Sequence, residues 1–68
     1  MVHVDSEAID EIDYEVARAI LFVRFAHGGW YEYFGVPPKV YGDFLVAESH
    51  GRFFHEHIRG RYPYRRRR

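Results

Sequence analysis

The chain has only 68 residues and contains no cysteine, and this combination limits its fold more than any motif does. A domain of this size buries only about 60% of the surface that its unfolded chain exposes, so its stability margin is thin. No disulfide and no cysteine-ligated metal can add to that margin, and a chain without cysteine is typical of the reducing cytoplasm. We therefore expect a single cytoplasmic domain over residues 1–64.

The hydropathy pattern argues against membrane and secreted classes. No run approaches the roughly 18 apolar residues that a membrane-spanning helix needs, and residues 1–5 do not have the pattern of a signal peptide. What remains is a small soluble domain with no membrane partner, in which aromatic residues make up 19% of the chain.

The zero net charge conceals a separation of charge along the chain. Residues 1–38 carry a net charge of −5, and residues 39–68 carry +5. Such asymmetry indicates a nucleic-acid or membrane partner. Alternatively, the two halves neutralise each other within the fold or between two copies, because a pI near 7.0 is well below that of a typical nucleic-acid-binding domain.

The first half of the chain fits two patterns. Apolar residues at helical spacing favour a helix over residues 6–19, with Ser6 as its N-cap. Residues 20–25 instead alternate as a strand does and are rich in β-branched and aromatic residues. With the turn residues 27–29 and the aromatic run 30–34 they predict a β-hairpin over residues 19–34.

The second half predicts two short helices. Pro38 suits the first turn of a helix that ends near Ala47. Ser49 can cap a second helix, which Gly60 stops. Residues 65–68 have no apolar periodicity, so we expect a flexible arginine tail.

Over nearly its whole length the chain resembles the KTSC domain, a module found C-terminal to some bacterial lysyl-tRNA synthetases and as a free-standing small protein. The resemblance rests on Ser6, Ile9, Tyr14, Leu21-x-Val23-x-Phe25, Gly29, the central Tyr31-x-Tyr33, Val36-Pro37, Val40-Tyr41, Ser49 to Phe54, Ile58-Arg59 and Tyr62-Pro63. The chain departs from the family pattern at Asp5, at His55 and at residues 15–17.

The resemblance implies an α+β fold in which a three-stranded antiparallel β-meander is followed by two short α-helices. It also implies that the first segment is a strand, against the helical spacing. No enzymatic activity is attached to the family, and RNA binding has been suggested for it. Such an analogy does not by itself settle function.

The loop after residue 26 determines which sheet face carries Tyr31 and Tyr33. A two-residue turn would place them on the face of Phe22 and Arg24, whereas a three-residue loop places them on the opposite face. We prefer the three-residue loop because it sets Glu32 opposite Arg24, with Tyr31 opposite Phe25 and Tyr33 opposite Val23.

In that register the central tyrosines are core residues. The other sheet face then carries Phe22, Arg24, Trp30 and Phe34. This second face could stack on bases, form a dimer or protein interface, or simply be partly exposed.

The basic and aromatic residues of the second half are candidates for phosphate contact and base stacking. They are Lys39, Arg52, Arg59, Arg61, Tyr62, Tyr64, Arg65, Arg66, Arg67 and Arg68. The competing interpretation is a solvated tail that aids solubility or meets the acidic stretch of residues 10–15.

The sequence carries no pattern of a catalytic or metal site. His55 and His57 lie about 200° apart round a predicted helix, so they cannot share a metal ion. No nucleophile or phosphate-binding motif is present. We predict a non-enzyme without metal, cofactor or small-molecule substrate. Its partner is RNA, or alternatively another protein or a second copy of the chain.

Overall fold

A computed structural model describes residues 2–4 and 6–67 of the chain as an α+β fold with an antiparallel sheet and two helices. The strands are Val2–His3 (β1), Ile9–Glu15 (β2), Ile20–Phe25 (β3), Trp30–Phe34 (β4) and Tyr64–Arg67 (β5), and the helices are Pro38–Leu45 (α1) and His50–His57 (α2). The sheet order is β1-β2-β3-β4-β5. The predicted class is therefore confirmed, but the sheet has five strands instead of three.

The fifth strand occupies the segment for which a flexible tail was predicted. Residues 64–67 pair antiparallel with β4, so that Tyr64 lies opposite Tyr33 and Arg66 opposite Tyr31. No hydrophobic alternation marks this strand in the sequence. It forms because β4 offers a free edge, along which Glu32 pairs with Arg65 and Tyr33 lies opposite Tyr64. Arg68 lies outside the described residues.

The helix predicted over residues 6–19 is wrong, and the strand implied by the family resemblance is correct. The register of β2 against β3 shifts between Ile9 and Glu11, which marks a β-bulge. A bulge adds one residue, so Ile9 and Ile12 are both fully buried although they are three positions apart. A spacing of three is also helical, and this explains why the sequence pattern indicated a helix.

The helices begin where the local chemistry predicts. Pro38 opens α1, and the Ser49 hydroxyl accepts the backbone N–H of Arg52 at 3.2 Å at the start of α2. Both helices cover the sheet face that holds the core. The core consists of Ile9, Ile12, Leu21, Val23, Tyr33, Val36, Phe44 and Ile58.

The β3–β4 register differs from the predicted one by two residues. Tyr31 lies opposite Val23, Tyr33 opposite Leu21, and Glu32 opposite Phe22. The hairpin turn begins one residue earlier than predicted, at 26–28 instead of 27–29, since the Phe25 N–H donates to the Gly29 carbonyl at 3.3 Å. A shift of two residues leaves each side chain on its face. The placement of both tyrosines on the core face is therefore confirmed, whereas the predicted pairing of Glu32 with Arg24 is wrong.

Candidate nucleic-acid interface

The sheet face opposite the helices, here called the open face, carries the predicted residues Phe22, Arg24, Trp30 and Phe34. All three of its rings are half-buried. The large apolar side chains that are well exposed among the described residues are Val2, Val16, Val46 and Tyr64, none of which belongs to that set. The open face therefore does not present a broad aromatic platform.

Two buried glutamates hold the arginines of the open face. Glu11 is 6% exposed and accepts Arg24 Nη1 at 2.7 Å. Glu32 is 8% exposed and accepts Arg65 Nη2 at 3.0 Å, while Arg67 Nε lies 3.9 Å from its other oxygen. A phosphate that took these arginines would leave a carboxylate buried without its partner, which is costly. The open face is thus a poor place for the nucleic-acid backbone.

A different concave surface lies on the core face, where the end of α2 meets β4 and β5. We call this cavity of about 320 Å³ the aromatic cleft. It is lined by Phe25, His27, Tyr31, Tyr33, Phe54, Arg59, Gly60 and Tyr64. Arg59 supplies an arginine to this lining, and none of the described residues that line it is acidic.

The rings of the aromatic cleft form a continuous wall. Phe54 from α2 meets Tyr33 edge to face with ring centroids 5.4 Å apart. Tyr64 from β5 lies 5.6 Å from Tyr33 and 6.0 Å from Tyr31. Alternation along β4 directs both of its tyrosines to this side, and cross-strand pairing places Tyr64 beside them. The wall is therefore built by β4, β5 and α2 together.

Sequence comparison identifies the family to which this fold belongs. The model of the KTSC domain matches residues 5–62. The chain belongs to the KTSC domain family. A KTSC domain protein from Yersinia pestis, known from its crystal structure, superposes with a TM-score of 0.96 at 34% identity. The match covers 98% of this chain and 94% of that one, so the family resemblance seen in the sequence is confirmed.

The relatives of this KTSC domain include both small and large proteins. A protein of Tsukamurella paurometabola is 44% identical over 62 residues, which cover 91% of this chain and 92% of the relative. The lysine–tRNA ligase of Nostoc punctiforme is 35% identical over 60 residues. Those residues cover 88% of this chain but only 11% of the ligase. The similarity thus concerns one small region of the ligase.

The central Tyr-x-Tyr motif of the KTSC domain contributes two rings to the aromatic cleft. Tyr33 is only 5% exposed, whereas Tyr31 is half-buried under Arg66, whose guanidinium carbon lies 5.8 Å from the ring centroid. Burial raises the pKa of Tyr33 above its usual value, and the Tyr31 and Tyr64 phenols add to this effect. The Tyr33 phenol therefore stays protonated, and it brings no negative charge into the cleft at neutral pH.

The structure separates the predicted phosphate-binding residues into two groups. Four have carboxylate partners: Lys39 lies 2.8 Å from Asp43, Arg52 lies 3.2 Å from Glu56, and Arg65 and Arg67 flank Glu32. Arg59, Arg61 and Arg66 have no carboxylate within 4.0 Å among residues 2–4 and 6–67. Arg61 instead donates to the Glu56 backbone carbonyl at 3.0 Å. Arg59 and Arg66 therefore remain as the cations nearest the cleft.

The two predicted tyrosines of the C-terminal segment also differ in position. Tyr62 is half-buried and packs against the core, whereas Tyr64 lines the cleft and is 62% exposed. Within the described part of the chain, no group of three or more histidine, aspartate or glutamate side chains is placed to hold a metal ion. Neither helix is long and apolar enough to cross a membrane.

Sequence reasoning missed two features of this region. Phe25 and His27 line the cleft, and their rings stack with centroids 5.5 Å apart. Glu32 pairs with Arg65 and Arg67 of β5, whereas the sequence predicted that it pairs with Arg24. A signal for this role was present, because a lone acidic residue between aromatic neighbours in a strand favours a cationic partner on the adjacent strand.

The raised pKa of Tyr33 predicts instability at alkaline pH. An unfolded tyrosine ionises near pH 10, but the folded phenol holds its proton to a higher pH. The Tyr33 contribution to the free energy of unfolding is thus fully present below about pH 10 and is lost above it, by up to about 1.4 kcal/mol per pH unit. Urea unfolding followed at several pH values should give a smaller alkaline loss for Tyr33→Phe than for the parent. Equal slopes between about pH 10 and about pH 12 would contradict the prediction.

Proposed function

We propose that this KTSC domain is a non-catalytic module that binds RNA through the aromatic cleft and the arginines beside it. The observation that carries the proposal is the position of Arg59 and Arg66. Arg59 lines the cleft, and Arg66 covers Tyr31 in its wall. Neither cation has a carboxylate partner within the described ranges, so both are available to phosphate without a buried acid being left behind.

The charge distribution also favours the aromatic cleft as the RNA-binding surface. The acidic residues Glu11 and Glu32 lie on the open face, where Arg24, Arg65 and Arg67 pair with them. On the core face, Arg59 and Arg66 have no carboxylate partner among residues 2–4 and 6–67. Phosphate contacts supply most of the sequence-independent affinity of proteins for nucleic acids. We therefore expect modest affinity, a strong dependence on salt and little preference for sequence.

Replacing the two unpaired arginines tests the proposal. The Arg59→Ser/Arg66→Ser variant should bind a labelled single-stranded RNA more weakly than the parent. The slope of log affinity against log salt should become shallower by about one for each arginine that no longer neutralises a phosphate. Fluorescence anisotropy titrations at several salt concentrations measure both quantities.

The matched control removes the same charge from cations that already have partners. Lys39→Ser/Arg52→Ser breaks two exposed ion pairs, each worth less than about 1 kcal/mol, and should leave the salt slope near that of the parent. Equal slopes for the parent and the Arg59→Ser/Arg66→Ser variant would refute the proposed site, and absence of RNA binding at low salt would refute the function.

A protein-interaction or homodimerisation module is the second candidate. The observation in its favour is a cavity of about 330 Å³ on the open face, lined by Asp13, Phe22, Trp30 and Arg67. Sedimentation of the same protein samples distinguishes the two proposals. A dimer that Phe22→Ser and Trp30→Ser both dissociate would favour this second candidate.

A further inference from the structure

We infer that the aromatic cleft takes an unpaired nucleobase stacked on Tyr64, so that the domain binds single-stranded RNA and discriminates against the same sequence in a duplex. This inference rests on the proposed function, and it adds the kind of RNA and the residue that recognises it.

Among the tyrosine and phenylalanine rings of the cleft, Tyr64 is the one that belongs to an exposed residue. Its side chain is on the core face of β5 and the residue is 62% exposed, whereas Tyr33 beside it is 5% exposed. The backbone pairing with β4 and the neighbouring tyrosine rings hold Tyr64 in place. A stacked base therefore meets a ring that is already ordered, so that little conformational entropy is lost on binding.

The spacing along β5 places a cation next to the stacking ring. Tyr64 and Arg66 are two residues apart on one face of the strand, which corresponds to about 7 Å. Arg66 also lies against Gly29, where a Cβ atom would come within 3.2 Å of its guanidinium group. A base on Tyr64 would thus carry its phosphate close to Arg66, while Arg59 lines the cleft on the α2 side.

The size and lining of the cleft favour one flat ligand over a double helix. A cavity of about 320 Å³ is at the lower end of the range of ligand pockets, roughly 300–1,000 Å³. Bases in a duplex are already stacked on both faces, and sequence-tolerant single-strand binding relies on free base faces that stack on aromatic rings. None of the described residues that line the cleft is acidic, so these residues do not repel the phosphates. The cavity on the open face, by contrast, includes Asp13.

The test compares a labelled single-stranded RNA octamer with the same octamer annealed to its complement. The parent domain should prefer the single strand. Tyr64→Ser should weaken single-strand binding by at least about fivefold, the smallest effect expected when a stacked ring is removed. Tyr64→Phe keeps the ring and should bind within about twofold of the parent. Thermal unfolding followed by circular dichroism confirms that both variants fold.

A second measurement needs no variant. Trp30 is the single tryptophan, and its side chain lies on the open face, away from Tyr64. Its fluorescence should change little when the single strand binds to the cleft. Trp30 also lines a cavity with Arg66, so quenching of Trp30 that persists in Arg66→Ser would place the bases on the open face and overturn the inference.

The outcomes separate the two proposals. Equal affinity for single strand and duplex, together with parental binding by Tyr64→Ser, would overturn the inference. If Arg59→Ser/Arg66→Ser still weakened binding in that case, the proposed function would stand. If the parent bound neither RNA, both proposals would fail.

Discussion

A chain that ends at Pro63 should be strongly destabilised, although the segment removed looks like a disordered basic tail. Deletion of residues 64–68 removes β5 and its hydrogen-bonded ladder with β4. Each backbone hydrogen bond contributes about 0.5–1.5 kcal/mol net. The deletion also uncovers the Tyr33 ring and leaves Glu32, which is 8% exposed, without Arg65 and Arg67.

Together these effects should reach about 3 kcal/mol or more. A domain of 68 residues has a total stability of roughly 3–10 kcal/mol, at about 0.05–0.15 kcal/mol per residue. The truncated chain should therefore show an early or absent cooperative transition in urea, followed by Trp30 fluorescence and circular dichroism.

The matched control retains the strand and removes its charge. Arg65→Thr/Arg67→Thr keeps a β-forming sequence beside β4 but leaves Glu32 unpaired, and it should destabilise the fold less than the truncation does. Addition of Glu32→Gln to this double variant should restore part of the stability, because the buried charge is then gone. A truncated chain as stable as the parent would show that β5 contributes nothing to the fold.

This expectation also changes how RNA binding should be tested. Deletion of residues 64–68 does not remove charge alone, because it removes Tyr64 from the cleft and a strand from the sheet. Weaker RNA binding by such a chain would not distinguish the removal of phosphate-binding cations from a misfolded domain. Single-site variants such as Arg66→Ser avoid this ambiguity.

Phe44→Ala should have the second large effect on stability. Phe44 is the buried residue of α1, with 0% of its surface exposed, and its ring stacks on Phe53 with centroids 5.4 Å apart. Replacement of a buried phenylalanine by alanine costs about 3–5 kcal/mol, since less apolar surface is buried and a cavity remains. Because the whole domain is only marginally stable, much of the protein should be unfolded at 37 °C.

Val46→Ala provides the control for Phe44→Ala on the same segment. Val46 follows α1 and is 81% exposed, so its truncation should change the free energy of unfolding by less than about 0.5 kcal/mol. Urea unfolding of both variants measures the difference. Similar stabilities for the two would contradict the packing of α1 through Phe44.

Local chemistry in the sequence predicted several elements correctly. Glycines near residue 28 and the aromatic run after them predicted the hairpin, because turn and strand preferences act over a few residues. Pro38 and Ser49 marked the starts of both helices, since capping depends on one side chain and the adjacent backbone. The face of Tyr31 and Tyr33 was also predictable, because a register error of two residues does not alter it.

The sequence predicted the candidate RNA-binding surface only in part. The basic residues and tyrosines of the C-terminal half could be named, but their partners could not. Lys39 and Arg52 pair within their own helices, at the i,i+4 spacing that a sequence shows. The pairing of Arg65 with Glu32 joins residues 33 positions apart, and no local pattern indicates it.

The sequence by itself therefore determined the family, the α+β class, the hairpin, the helix starts and the supply of rings and guanidinium groups. Only the tertiary structure decided which arginines are neutralised, that residues 64–67 are a strand, and that Tyr31, Tyr33 and Tyr64 line one cleft with Phe54 and Arg59. The physical reason is the range of the interactions. Turns and caps depend on neighbouring residues, whereas β5, the buried glutamates and the cleft depend on contacts between segments far apart in the chain.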